Sequence, residues 1–199
     1  MFKSVGLPMF DIQKATQIAA YFIWKRGGRM SYLKLMKLMY LSEREFLVRY
    51  GERLTGDRMV SMKHGPVLSE TCDLFRTGSQ SAEWNDWIAG ESNFELSFKK
   101  MDQVDPSDPL ELFDCLSEAE KNLLDEIYSK FGDLTRWEIR DLTHTKDYCP
   151  EWTDPNGSVL PISLQSILIA HGKSKEDSEK IVEHIREMDE VQETMRALS

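Results

Sequence analysis

The sequence predicts a mainly α-helical fold, namely a helical bundle around a central buried helix with a small antiparallel β element. Three observations predict it. Residues 31–50 are apolar over most of a helical circumference, which is typical of a helix enclosed by its own protein. Residues 11–26, 117–132 and 174–199 each place apolar residues on one helical face. Residues 94–101 (FELSFKKM) alternate apolar and polar side chains, which is the pattern of a half-buried strand.

The central helix carries its own start and stop signals. Ser31 is a favourable N-cap, and Gly51 suits the left-handed position that follows many helices. Its apolar stripe consists of Tyr32, Leu35, Met36, Met39, Tyr40, Phe46, Leu47 and Tyr50. Its charged side chains are expected to form a narrow solvent-exposed strip, made of Lys34, Lys37, Arg44, Glu45 and Arg49.

The helix before it is capped by Asp11 and ended by two glycines at 27–28, after which the central helix follows at once. Two helices joined this closely are expected to pack as an antiparallel hairpin. After the central helix, residues 58–63 form a short, weakly alternating segment. We expect this segment to pair with residues 94–101 as a small antiparallel sheet.

The region between those two predicted strands is expected to begin with a helix. Gly65 permits an unusual backbone and Pro66 suits a first helical turn, so the helix would run from Val67 to Phe75 and stop at 77–79. The polar segment that follows, residues 79–93, contains two tryptophans and is expected to be a loop with one helical turn.

The second half begins after DPSDP at residues 105–109, the best candidate for an internal boundary. Ser117 and Glu120 then form a capping box, and shorter helices are predicted at 134–144 and 162–170. We divide the chain into a helical domain, residues 1–172, and a C-terminal amphipathic helix, residues 173–199. That helix either docks on the domain or offers its apolar stripe to a partner helix or a second copy.

The charge is unevenly distributed. Residues 1–65 carry twelve Lys or Arg and five Asp or Glu, whereas the rest of the chain is strongly acidic and the whole has a net charge of −9. The two parts either attract and pack together, or present a basic face and an acidic face to partners. The overall acidity argues against general nucleic-acid binding, so direct binding of DNA through a helix-turn-helix at 117–144 is not expected.

Other features concern the compartment. No apolar run is long enough to span a membrane, and the N-terminal residues lack the apolar region of a secretory signal. The three cysteines, Cys72, Cys115 and Cys149, are far apart in sequence and form no Cys-x-x-Cys pair. We therefore expect reduced thiols in a cytoplasmic protein with no membrane partner.

The sequence contains none of the common catalytic or nucleotide-binding motifs. His144 and Cys149 lie in one segment and could form a nucleophilic pair, and with His64 they could bind zinc. Their closeness in sequence does not establish either geometry. We expect no enzyme activity, no cofactor and no metal, and keep a small enzyme using His144 and Cys149 as an alternative.

A set of residues nevertheless forms a recognisable series. It consists of Lys34-Leu35-x-Lys37-Leu38-x-Tyr40, then Gly51, Leu54, Thr55-Gly56 and Lys63-x-Gly65-Pro66-Val67, and farther on Leu142-Thr143-His144 and Trp152. This series resembles the Panacea domain, the SocA-like antitoxin domain formerly known as phage-associated GepA. The resemblance covers roughly residues 11–155, so the 1–172 domain is Panacea-like. The tryptophan-bearing segment 79–93 and the long C-terminal helix depart from the family pattern.

The resemblance implies a bacterial or phage-associated member of a toxin–antitoxin system. Such a protein binds and neutralises a cognate toxin, encoded by the adjacent gene, in a direct protein–protein complex. Alternatively, it is a proteolytic adaptor that delivers the toxin to ClpXP. A homodimer is also compatible with the sequence.

The family brings no catalytic residues, so its motif residues become candidates for partner binding. They are Lys34, Lys37, Tyr40, Lys63, His64, Gly65, Pro66, Val67, His144 and Trp152. The competing interpretation is that these residues maintain the fold, with the Gly65–Pro66 pair setting a helix entry and His144 and Trp152 closing the core over the central helix.

Overall fold

The computed structural model describes residues 10–76 and 81–198. Its helices within those ranges are α1 (Ile12–Lys25), α2 (Tyr32–Tyr50), α3 (Ser69–Arg76), α4 (Ala82–Trp87), α5 (Glu118–Phe131), α6 (Arg136–Thr143), α7 (Leu164–Ala170) and α8 (Lys175–Ala197). Its strands there are β1 (Arg29–Ser31), β2 (Met59–Met62), β3 (Gly65–Leu68), β4 (Ile88–Glu91), β5 (Glu95–Phe98) and β6 (Leu160–Pro161). The chain is therefore mainly α-helical with small antiparallel sheets.

The ends of the first two helices follow from local chemistry. The side chains of Asp11 and Ser31 accept hydrogen bonds from backbone N–H groups three residues on, at the starts of α1 and α2. Gly51 adopts a left-handed conformation with φ of 70° and ends α2. These caps confirm the predicted limits of both helices. The joint differs, because β1 occupies Arg29–Ser31 between them.

The environment of α2 differs from the prediction on its charged side. The helix contacts α1, α5, α6, α7 and β3, so it has neighbours on several sides. Lys34, Lys37 and Arg44 are buried, and Arg49 alone of the five charged residues is exposed. The predicted solvent-exposed strip is therefore wrong. The cations are accommodated because each finds an oxygen acceptor inside the protein.

The strands form two three-stranded antiparallel sheets, ordered β1–β5–β4 and β3–β2–β6. The predicted pairing of residues 58–63 with residues 94–101 is wrong. β2 pairs instead with β3 across the short turn at Lys63 and His64, while β5 pairs with β1 and β4. A neighbouring strand joined by a tight turn closes a shorter loop than a strand some thirty residues away, so the hairpin is favoured entropically.

Two further details of this region differ from the prediction. Gly65 to Leu68 form β3, and the helix begins only at Ser69, because Gly65 has φ of 93° and the segment pairs with β2. Phe94 does not start the strand but ends a short 3-10 turn, Ser92–Phe94. The predicted helix end at 77–79 lies outside the described residues, as do residues 79 and 80 of the predicted loop, which otherwise contains α4 and β4.

The second half contains the predicted helices, and α6 and α7 each begin two residues later than predicted. Ser117 and Glu120 form the expected capping box of α5, and Thr135 and Glu138 form another at α6. Only the first part of α8 docks on the domain. Ile185 is buried and Ile181 packs against the core, whereas the apolar residues toward the C-terminal end of the helix are exposed. Within the described ranges, no helix has the length and apolar character needed to cross a membrane. The boundary at 105–109 stays a prediction.

Candidate partner-binding site

Two lysines of α2 serve as internal anchors. Lys34 Nζ donates hydrogen bonds to the carbonyl oxygens of Gly132 and Leu134, the latter at 2.6 Å, and so fixes the end of α5. Lys37 Nζ donates to the Pro66 carbonyl oxygen at 2.8 Å. Burial lowers the pKa of Lys37 to about 7, because removal from water disfavours the ammonium form and the Pro66 carbonyl only partly compensates for it.

Farther along α2, Tyr40 and Arg44 bind one buried carboxylate. The Tyr40 hydroxyl donates to Glu151 Oε1 at 2.6 Å, and Arg44 NH1 lies 3.3 Å from the same oxygen. His171 Nε2 is 3.8 Å from Glu151 Oε2, outside hydrogen-bond distance. Burial opposes ionisation of this carboxyl, but the hydrogen bond from Tyr40 and the Arg44 cation hold the pKa of Glu151 well below its usual range. The cluster ties the segment after α6 to α2.

The start of β3 is packed directly against this face. A Cβ atom on Gly65 would lie 2.7 Å from Lys37 Nζ and 3.3 Å from Thr143 Oγ1, so only glycine allows the close approach seen here. Pro66 and Val67 are also buried. The motif residues of this strand thus bring α2, β3 and α6 together.

His144 and Trp152 form a pair at the other side of the hairpin. Their ring centroids are 4.1 Å apart, and Trp152 Nε1 donates to the Met62 carbonyl oxygen at 3.2 Å. Trp152 is buried and His144 is half-buried. These contacts agree with a role in closing the core, and they hold the strand that precedes the exposed turn.

Only a few candidates reach the surface. Lys63 and His64 are exposed in the β2–β3 turn, while Lys34, Lys37, Tyr40, Gly65, Pro66, Val67 and Trp152 are buried. Partial burial and the positive charges of Lys63 and Arg140 lower the pKa of His64. A partner can touch exposed side chains, so the buried candidates contribute by positioning the turn.

His64 lines an apolar groove of about 290 Å³ that the sequence did not reveal. We call it the aromatic groove; its lining is Ser31, Tyr32, Leu33, His64, Phe94, Arg136, Trp137 and Arg140. Half of the surface of Trp137 is exposed, and Phe94 is 75% exposed. The spacing of apolar residues does not distinguish a ring packed in the core from one held at the surface, so the pattern could not find this groove.

The geometry gives no support to a nucleophilic pair or a metal site. Burial raises the pKa of the Cys149 thiol to about 12, so this thiol stays protonated at neutral pH and lacks the reactive thiolate. His144 packs against Trp152, as described above. Among residues 10–76 and 81–198, no group of three or more His, Cys, Asp or Glu side chains could hold a metal ion.

Comparison with known families connects these observations. A family model described as "Antitoxin SocA-like, Panacea domain" matches residues 35–153, more than half of the 199-residue chain. The chain belongs to the SocA-like antitoxin family. No curated protein and no solved structure matches it.

The Panacea match begins inside α2 and ends at Thr153, just after the Glu151 cluster. It includes both sheets except β1 and β6, together with α3 to α6. It therefore covers Lys37, Tyr40, Arg44 and most of the aromatic groove, whereas the anchor Lys34 lies just outside it. The helices α1, α7 and α8 lie outside the matched residues. The matched range is shorter than residues 11–155, over which the sequence resembles the family.

Proposed function

We propose that this Panacea-domain protein is an antitoxin that binds a cognate toxin and neutralises it in a direct complex, without catalysing a reaction. The observation that carries the proposal is the family match over residues 35–153. The toxin is proposed to be the product of the adjacent gene, and the pair to act in the cytoplasm.

The arrangement of the motif residues supports a binding protein. Lysine, arginine and tyrosine side chains of α2 are used internally, on the Pro66 carbonyl, the Leu134 carbonyl and the Glu151 carboxylate. We propose that α2 is the centre of a helical bundle, and that its internal bonds fix the surface that surrounds it. A rigid surface loses little conformational entropy on binding, which favours tight complexes.

Co-expression tests the proposal. The adjacent gene's product is induced in cells with and without the full antitoxin chain, and growth is measured. We expect growth arrest with the product alone and recovery when both proteins are present, with a stable complex on gel filtration. A harmless product, or arrest that persists beside a folded antitoxin, would contradict the proposal.

The same purified proteins separate blocking from delivery to a protease. Neutralisation by a complex predicts that toxin activity falls when the antitoxin is added alone. An adaptor predicts that activity is unchanged until ClpXP and ATP are supplied and the toxin is degraded. The second result would replace the direct mechanism by the adaptor.

A further inference from the structure

The aromatic groove combines several features that the fold does not need. Two consecutive residues other than glycine, Asn93 and Phe94, have left-handed backbones with φ of 61° and 60°. This conformation is unfavourable for a bulky side chain such as that of Phe94. The result is a large ring held in solvent, 75% exposed, beside Tyr32 at a ring-centroid distance of 6.0 Å. A strained backbone conformation that holds an aromatic ring in solvent is typical of a binding site.

The opposite wall carries the residue types that dominate binding energies at protein interfaces. Trp137 is half-exposed, and the guanidinium groups of Arg136 and Arg140 lie over its indole, 4.7 and 4.9 Å from the ring centroid. Trp, Tyr and Arg are enriched among the residues whose truncation weakens complexes most. Stacking of the two guanidinium groups on the indole restrains its orientation.

The charge of the groove restricts its occupant. Its lining includes the cations Arg136 and Arg140 but no carboxylate, and Asp141, outside the lining, forms an ion pair with Arg140. Lys63 is exposed in the adjoining turn. A groove with an apolar floor and a basic rim matches a segment that has an apolar side chain between carboxylates.

We propose that the aromatic groove is the docking site for a segment of the toxin in which a bulky apolar side chain is flanked by Asp or Glu. The inference rests on the proposed antitoxin function and names the surface and the partner chemistry for it. The apolar side chain lies between Phe94 and Trp137, and the carboxylates pair with Arg136 and Arg140. A volume of about 290 Å³ accommodates one or two such side chains.

Affinity measurements with the purified adjacent-gene product test the aromatic contact. Trp137→Ala is compared with Tyr50→Ala, which removes an aromatic ring of similar exposure, 48%, at the opposite end of α2. We expect the first variant to weaken the complex about tenfold or more and the second to leave it unchanged. Equal affinities for wild type and the Trp137 variant would overturn the assignment.

Charge reversal tests the predicted chemistry of the toxin segment. Arg136→Glu with Arg140→Glu is compared with Lys180→Glu with Arg186→Glu, which reverses two exposed charges on α8. We expect weaker binding only in the groove variant, and the remaining affinity should depend less on salt than that of the wild-type complex. Hydrogen exchange on the toxin should show protection of an acidic, apolar segment. Protection of a basic segment would overturn the proposed chemistry.

Phe94→Gly separates binding from folding. Glycine accepts the left-handed backbone, so this variant is expected to melt at a higher temperature than wild type while binding the toxin more weakly. Asn93→Gly relieves the same kind of strain but keeps the ring, and should gain stability without losing affinity. A Phe94→Gly protein that binds normally would contradict the inference.

The outcomes also distinguish this inference from the function on which it rests. If wild type binds and neutralises the toxin but every groove variant does so equally well, the function stands and the groove assignment fails. If wild type does not bind the toxin, the proposed function itself fails. If groove variants instead dissociate a self-associated form and leave toxin binding intact, a second copy is the occupant and the proposal is wrong.

Discussion

Replacing Gly65 by alanine should lower the free energy of unfolding by more than the backbone effect at a left-handed glycine alone. Gly65 has φ of 93°, and a left-handed backbone costs an L-residue about 1–2 kcal/mol. The new Cβ would also stand 2.7 Å from Lys37 Nζ, too close for both atoms to stay in place. The ammonium group must therefore move away from the Pro66 carbonyl oxygen, to which it donates at 2.8 Å.

The magnitude follows from adding these two effects. A hydrogen bond from a charged group contributes about 1.5–3 kcal/mol. This value applies to measurements at pH 6, where Lys37, with a pKa of about 7, is mostly protonated. Lys37 is fully buried, so the displaced ammonium does not reach bulk water in place of its acceptor. We therefore expect Gly65→Ala to lower the free energy of unfolding by about 2.5–5 kcal/mol. A loss of this size is a large part of the stability of an ordinary domain.

Gly157→Ala is the matched control. Gly157 has φ of 87°, close to that of Gly65, but nothing lies within 4 Å of its Cβ position. This variant should therefore show the backbone effect alone, about 1–2 kcal/mol. Urea unfolding, followed by tryptophan fluorescence and circular dichroism, measures both variants. The difference between them, about 1.5–3 kcal/mol, is assigned to the close contact with Lys37.

A second substitution tests that assignment. Methionine at position 37 ends one atom short of the lysine ammonium, so Lys37→Met should make room for the alanine methyl group. In this background Gly65→Ala should cost no more than Gly157→Ala. The reasoning is refuted if the two glycine variants lose equal stability in wild type, or if Lys37→Met leaves their difference unchanged.

Three other substitutions probe the buried charges. The pKa of Lys37 is about 7 in the native protein but about 10.4 when the chain is unfolded, so the native state binds fewer protons between these values. The free energy of unfolding of wild type should therefore rise, relative to that of Lys37→Met, by up to about 1.4 kcal/mol per pH unit above pH 7. If the urea midpoints of the two proteins changed equally between pH 7 and pH 9, this would be contradicted. Glu43 accepts hydrogen bonds from the Thr55 N–H and hydroxyl, so Glu43→Gln, which places a donor there, should lower stability by about 1–3 kcal/mol; an unchanged melting temperature would disagree. Glu151→Gln leaves the Arg44 cation buried without its counter-charge and should cost about 3–5 kcal/mol in urea unfolding; recovery when Arg44→Met is added is the expected control, and no recovery would show that the pair is not the cause.

The helices could be predicted because their signals are local. Ser31 and Gly51 lie at the two ends of α2, and Ser117 and Glu120 lie within one turn of each other at the start of α5. A cap depends on residues three or four positions apart, so the sequence contains all the information that the cap requires. The same reasoning applies to α8, because Ser174, the first residue of the amphipathic segment 174–199, is its N-cap.

The fate of the charged residues could not be predicted, because it depends on partners that are distant along the chain. Lys34 reaches carbonyl groups near residue 132, and Arg44 reaches Glu151. Nothing in residues 31–50 distinguishes a lysine that points to water from one that meets an unpaired carbonyl group in the core. Periodicity places both lysines of α2 in a solvent-exposed strip, because a charged side chain without a known acceptor is expected to stay in water.

The buried motif and the exposed groove are two parts of one arrangement. Gly65 is a point where α2, β3 and α6 approach closely, with Lys37 on one side and Thr143 on the other. The aromatic groove lies between the start of α2, the turn at His64 and the start of α6. Because His64 directly precedes Gly65, any side chain that pushes β3 away from α2 must also displace the turn that lines the groove. The motif residues need not touch a partner to be required for binding one; they set the distances between the walls that do.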